Sequence, residues 1–184
     1  MNKLEITTII DKFVKQYLST KLDTTTDNIT LNTNNKQLIT WWNNLDSDWK
    51  SIFKKHIKIQ NKPTVQDLQK IINLKYINAE HFNLKSLEPL SQLTHLKKLI
   101  IRNTAVLNLD PLKNLKELEY LDATFTMINS LKPLWNLPKL VKIFCKRSGR
   151  LVPTEVNEFI KSHRHCQVDW DFTEDQNWQP GQTW

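Results

Sequence analysis

Apolar and polar positions along the middle of the chain repeat at one fixed interval. Steps of 22 from Leu74 reach Leu96, Leu118 and Leu140; three places on stand Ile77, Leu99, Leu121 and Ile143, and two further on Ala79, Ile101, Ala123 and Cys145. Later in each unit come Leu84, Val106 and Ile128, then Leu87, Leu109 and Leu131. Prolines keep the same phase at 89, 111 and 133, each followed by Leu90, Leu112 or Leu134, and the units close on Leu93, Leu115 and Leu137. The first part of a unit alternates with period two, which predicts a short strand buried on one face. The second part spaces leucines by three around a proline, which predicts a short 3₁₀ or helical return. One unit cannot bury its own leucines, so the units must stack into a shared core. Thr104, Thr126 and Ser148 fall where the strand has to turn, and their hydroxyls suit bonds to backbone there.

Outside the repeats the period changes to that of helices. Ile6, Ile9, Ile10, Phe13, Val14, Tyr17 and Leu18 form an apolar stripe. The polar stretch TKLDTTTDNITLNTNN (20–35) reads as a loop. A second helix carries Leu38, Ile39, Trp41, Trp42 and Leu45, with one of the adjacent tryptophans partly exposed. A third, SDWKSIFKKHI, is predicted to be capped by Ser47, with Trp49, Ile52, Phe53 and Ile57 inward. Thr64 and Asp67 form a capping-box pattern ahead of Val65, Leu68, Ile71 and Ile72. At the far end, Thr154 after Pro153 is the predicted cap of a helix bearing Val156, Phe159 and Ile160. Cys166, Val168 and Trp170 then alternate as a last strand. Cys166 and Val168 stand one place later than the repeat interval puts the successors of Ile143 and Cys145, which implies a unit lengthened by a single insertion. The resulting division is a helical cap over 1–73, repeats with a C-terminal cap over 74–172, and a mobile tail over 173–184.

The segments LKKLIIRNTAVLNLDPLKNLKE and LEYLDATFTMINSLKPLWNLPK resemble the leucine-rich repeat family, in the 22-residue bacterial subclass found in internalin-like proteins. The resemblance covers 74–139; Phe82 departs from it, standing where the family prefers a small polar residue. It implies an α/β fold: a leucine-rich repeat solenoid with a short parallel sheet on the concave face, a helical N-terminal cap and a helix-plus-strand C-terminal cap. It also implies protein–protein recognition, and it brings no catalytic residue.

Strand positions between the buried leucines must face outward. They form three rows: Tyr76, Lys98, Tyr120, Lys142; Asn78, Ile100, Asp122, Phe144; and Glu80, Arg102, Thr124, Lys146, continued by Asp169. Five strands about 4.8 Å apart give a face about 20 Å wide, suited to a protein loop or peptide. Tyr and Arg are favoured at interfaces, and Ile100 and Phe144 have no reason in the core to be there. The competing reading is a solvated sheet with cross-strand pairs.

Composition narrows the function. Only two glycines occur, Gly149 and Gly181, which excludes phosphate loops, dinucleotide fingerprints and nucleophile elbows. A net charge of +7, with Lys139, Lys142, Lys146, Arg147 and Arg150 clustered near Phe144 and Trp135, keeps nucleic acid as the alternative partner. His163, His165 and Cys166 in HRHC are the one metal-like cluster, but they lack a second ligand pair; the competing reading is a helix end with surface histidines and a buried Cys166. No acid or histidine pair has a spacing that a known chemistry requires, so an enzyme such as a zinc hydrolase ranks third and no cofactor is expected. Two cysteines make no disulfide framework, although adjacent strands would allow a bridge from Cys145 to Cys166. Glu5, Asp11 and Lys12 interrupt any secretory apolar segment, and no run spans a bilayer. The expectation is a cytoplasmic, monomeric module that binds a protein or peptide.

Overall fold

The computed structural model describes residues 33–59 and 62–171. The chain divides into two compact units, Met1–Asn43 and Asn44–Trp184. The stripe over 6–18 and the tail over 173–184 lie outside the described residues. Helix α1 is described over 33–44 and takes in Thr33 to Asn35, which were expected in the preceding loop. Leu38 and Trp42, four apart, are buried, whereas Trp41 is half-buried and Ile39 exposed. None of the described helices is long and apolar enough to cross a membrane.

Helices α2 (Ser47–Ile57) and α3 (Val65–Ile72) lead into the repeats. The cap of α2 is Asp46 rather than Ser47: its carboxylate accepts the Trp49 N–H at 2.8 Å, and Ser47 becomes the first helical residue. The capping box of α3 is present in both directions. Asp67 N–H donates to Thr64 Oγ1 at 3.2 Å, and Thr64 N–H to Asp67 Oδ2 at 3.0 Å. The Thr64 N–H, followed by the Thr64 hydroxyl, donates to the Asp67 carboxylate and holds it below its ordinary range.

The repeats form a five-stranded parallel sheet in simple sequential order: β1 (Tyr76–Asn78), β2 (Lys98–Ile100), β3 (Tyr120–Asp122), β4 (Lys142–Phe144) and β5 (Gln167–Asp169). The register joins Ile77 to Leu99, Leu121, Ile143 and Val168. Each of the first three rungs returns through a 3₁₀ turn, at Glu88–Gln92, Asp110–Leu112 and Lys132–Leu134, with proline near its start. The proline supplies a fixed φ where no N–H is needed. The rung leucines from Leu84 to Leu140 are at most 1% exposed, so the stack is sealed.

Buried hydroxyls close the turns after β2, β3 and β4. Thr104 Oγ1 donates to Ile101 O and Thr126 Oγ1 to Ala123 O, both at 2.7 Å. Ser148 Oγ also donates to Ala123 O, at 2.8 Å, and lies 3.3 Å from Thr126 Oγ1.

The two ends are closed differently. On the β1 side, the buried Trp49 stacks on Phe53 and donates its indole N–H to Ser86 O at 3.1 Å. His56 takes the place of a neighbouring strand, with Nε2 accepting the Asn78 N–H at 3.0 Å. At the far end the last rung departs from the expected length. Ile143 pairs with Val168, not with Cys166 as a single insertion would require. A full helix, α4 (Pro153–Ser162), replaces the 3₁₀ turn and takes up the extra chain. Its cap is Val152, with Pro153 as the first residue, so Thr154 does not cap it. Glu155 ties α4 to the third rung instead, accepting from Ser130 Oγ at 2.8 Å and from Leu131 N–H at 2.6 Å.

Two stability outcomes follow. Leu121→Ala empties a fully buried site and should lower unfolding free energy by about 3 kcal/mol, whereas Tyr120→Ala, next along the chain but outward, should cost about 1 kcal/mol or less in urea melts. Burial lowers the His56 pKa below its ordinary 6.5, with Lys55 adding to that; the native state therefore holds the neutral ring. Its contribution is complete above pH of about 6.5 and is lost as pH falls below it. Comparison of urea midpoints at pH 7.5 and 5 should show a smaller drop for His56→Ala than for the wild type.

Candidate functional site

The sheet displays the expected outward rows. Its first row runs Tyr76, Lys98, Tyr120, Lys142, Gln167, and its second Asn78, Ile100, Asp122, Phe144, Asp169. Asp169 thus continues the second row, not the third, because the last unit is longer than expected. It still reaches the third row, with Oδ1 2.9 Å from Lys146 Nζ. Tyr76 is exposed and Ile100, Tyr120, Asp122 and Phe144 are half-buried, so these side chains lie on the outer face rather than in the core.

Aromatic rings and cations interlock across the strands. Lys98 Nζ lies 4.5 Å from the Tyr120 ring centre and 5.7 Å from that of Tyr76. Lys142 Nζ lies 4.7 Å from the Phe144 ring, and the Tyr120 and Phe144 rings are 5.5 Å apart. Burial, with Asp122 and Tyr76 nearby, pushes the Tyr120 phenol above its ordinary range, so it stays a neutral donor. Two carboxamide and carboxylate oxygens at equivalent places finish the strands: Asn78 Oδ1 accepts Glu80 N–H at 2.9 Å, and Asp122 Oδ1 accepts Thr124 N–H at 3.0 Å. Arg102 Nε reaches Glu80 at 3.7 Å.

A fourth row escapes the strand alternation. His81, Asn103, Phe125 and Arg147 all adopt positive φ, between 52° and 65°, where the chain leaves the sheet. They keep the phase of the repeat, and the N–H groups of the first three extend the ladder to Arg102 O, Thr124 O and Lys146 O. Arg147 N–H is met by Asp171 Oδ1 at 2.8 Å. A left-handed conformation costs a residue with a side chain about 1–2 kcal/mol, and Asn tolerates it best. Phe125 is the outlier: a large ring, 37% exposed, in a position glycine would normally fill. Arg102 and Arg147 both approach this ring, at 5.9 and 5.2 Å from its centre. The signal was present in the sequence as the phase 81, 103, 125, but no glycine marked the turn.

The other candidate chemistries disperse. His163 is buried, not on the surface as expected: Nε2 donates to Trp135 O at 2.7 Å, and the ring stacks on Phe159 at 4.1 Å. Its role is to tie the end of α4 to the third rung. Cys166 is buried too, and no cluster of metal-ligating side chains occurs among the described residues. Both thiols are free; the observed register puts Cys145 and Cys166 at different levels of neighbouring strands, which removes the geometry for a bridge. Burial raises Cys145 to about 12 and Cys166 to about 11, so neither forms a reactive thiolate. The basic cluster divides as well. Lys139 pairs with Glu117 at 2.7 Å and Lys146 with Asp169. Trp135 packs edge-on against Phe159 and His163.

No family model matches the chain, and no curated protein matches it. Among solved structures, internalin C2 from Listeria monocytogenes superposes with a TM-score of 0.55 at 17% identity, covering 67% of this chain and 53% of that one. The chain has a leucine-rich repeat fold of the internalin type. It spans about half the length of that internalin. An internalin InlF from the same organism covers 67% of the chain and 42% of its own at 16% identity, with a TM-score of 0.49. A leucine-rich repeat protein from Leptospira interrogans covers 59% and 34% at 20% identity, with a TM-score of 0.45. In this leucine-rich repeat chain the first two outward rows lie on the strands, and the third, Glu80, Arg102, Thr124 and Lys146, lies just beyond their last residues.

Phe125→Asn should relieve the left-handed strain and raise unfolding free energy by about 1 kcal/mol, read as a higher urea midpoint. An unchanged or lower midpoint would show that the two guanidinium contacts outweigh the backbone cost.

Proposed function

We propose that the chain is a non-catalytic protein-interaction module that binds a protein or peptide on its sheet face. The contact set is Tyr76, Asn78, Lys98, Ile100, Arg102, Tyr120, Asp122, Thr124, Lys142, Phe144 and Lys146, joined by Phe125 and Arg147. The observation that carries this reading is the aromatic and cationic network over β2, β3 and β4, in which Tyr120 and Phe144 lie side by side between lysines. Rigid aromatic side chains and Arg dominate binding energy at protein interfaces. They also lose little conformational entropy on binding when neighbours already hold them. The leucine-rich repeat fold supports the same reading, since stacked rungs present a broad, fixed surface.

Captured partners from the source cell, compared between the wild type and the Tyr120→Ala/Phe144→Ala double variant, test the assignment. The double variant should keep its circular dichroism spectrum and lose at least tenfold in capture. Equal capture by both would remove the sheet face as the site.

A further inference from the structure

Several cations on the rungs have internal counter-charges; among the described residues Lys98 and Lys142, on the first row of the face, have none. Just beside the sheet, Lys97 meets Glu119 and Lys139 meets Glu117, each at 2.7 Å and each between successive units at one phase of the repeat. The chain thus places an acid opposite a lysine where the rungs close an ion pair. On the first row the residues opposite Lys98 are Tyr76 and Tyr120, and those opposite Lys142 are Tyr120 and Gln167. Among the described residues neither lysine has a carboxylate within ion-pair distance; both rest on rings. The Arg147 guanidinium likewise lies against Phe125, a ring held there at a conformational cost. A ring steadies a cation and strips some of its water without neutralising it. An arriving carboxylate gains charge-assisted bonds there without breaking an existing pair.

We infer that the face recognises an acidic peptide segment in extended conformation, whose carboxylates settle on Lys98 and Lys142 while its apolar side chains lie on Tyr120, Phe144 and Phe125. This inference rests on the sheet-face reading above. The two lysines stand two strands apart, about 9.6 Å in the hydrogen-bonding direction. In a polyproline II segment, residues three apart share one side and lie about 9 Å apart, so acids at that spacing match both lysines. The face also holds Asp122 and Asp169 in its second row. Those carboxylates would repel the evenly spaced charges of a nucleic acid backbone but can be avoided by a peptide with discrete acids.

The test is a display selection of random 12-residue peptides on the full chain. Recovered sequences are then synthesised with and without Asp→Asn and Glu→Gln replacement, beside a single-stranded oligonucleotide of matched length. The expected result is enrichment of acids three apart, with binding at least tenfold weaker for the amide versions and for the Lys98→Gln/Lys142→Gln variant. These lysines are surface residues, and an unchanged thermal melt confirms that the variant folds. Equal binding of amide and acid peptides overturns the inference. If that binding still needs Tyr120 and Phe144, the sheet-face reading survives without the acidic ligand; if it needs neither, both fall. Recovery of no peptide overturns the inference too, because a single segment must suffice. Tighter binding of the oligonucleotide overturns it in favour of nucleic acid.

Discussion

Stacking of one leucine set on the next at a fixed offset is the constraint that everything else obeys. Ile77, Leu99, Leu121 and Ile143 share one register line, and each is fully buried. A slip of one residue would turn these side chains outward and bring Tyr120 and Phe144 into the core. The large apolar burial on one side thereby fixes what the other side displays. The side chains of Tyr120 and Phe144 are thereby displayed on the face rather than packed into the core.

The same register accounts for the electrostatics. Residues one unit apart become neighbours, so a lysine and a glutamate at the same phase of successive units form a pair, as Lys97 with Glu119 and Lys139 with Glu117 do. Such exposed pairs add little stability. On the face, Arg102 and Lys146 pair with Glu80 and Asp169, whereas Lys98 and Lys142 lie on rings instead. Both ends of the stack use polar side chains in place of a missing rung. His56 accepts the Asn78 N–H at one end, and His163 donates to Trp135 O at the other. Two histidines that look like candidate chemistry by residue type serve as closures.

The rungs were legible in the sequence because a dozen positions hold phase, and because burial of leucine is strong enough to override weaker preferences. Alternation placed the first two outward rows over β1 to β4, but it set Asp169 in the third row, whereas the longer last unit brings it into the second. What the sequence hid was decided by local geometry. The cap of α2 shifted from Ser47 to Asp46 because a carboxylate one residue earlier reached the same N–H. The last rung was lengthened by a helix whose extent the apolar spacing did not specify. Phe125 was missed because neither glycine nor asparagine stands there, although Asn103 holds the same left-handed position one unit earlier. Pairing partners of the basic cluster depended on contacts across rungs, which residue counts do not reveal.

Hydroxyl-radical footprinting of aromatic side chains, with and without a captured partner, tests most directly whether the sheet face is where the molecule is gripped. The account expects Tyr120, Phe125 and Phe144 to lose labelling when the partner is bound, and Trp135, half-buried beside α4, to keep its rate. Undiminished labelling of the three face residues together with protection of Trp135 would contradict it.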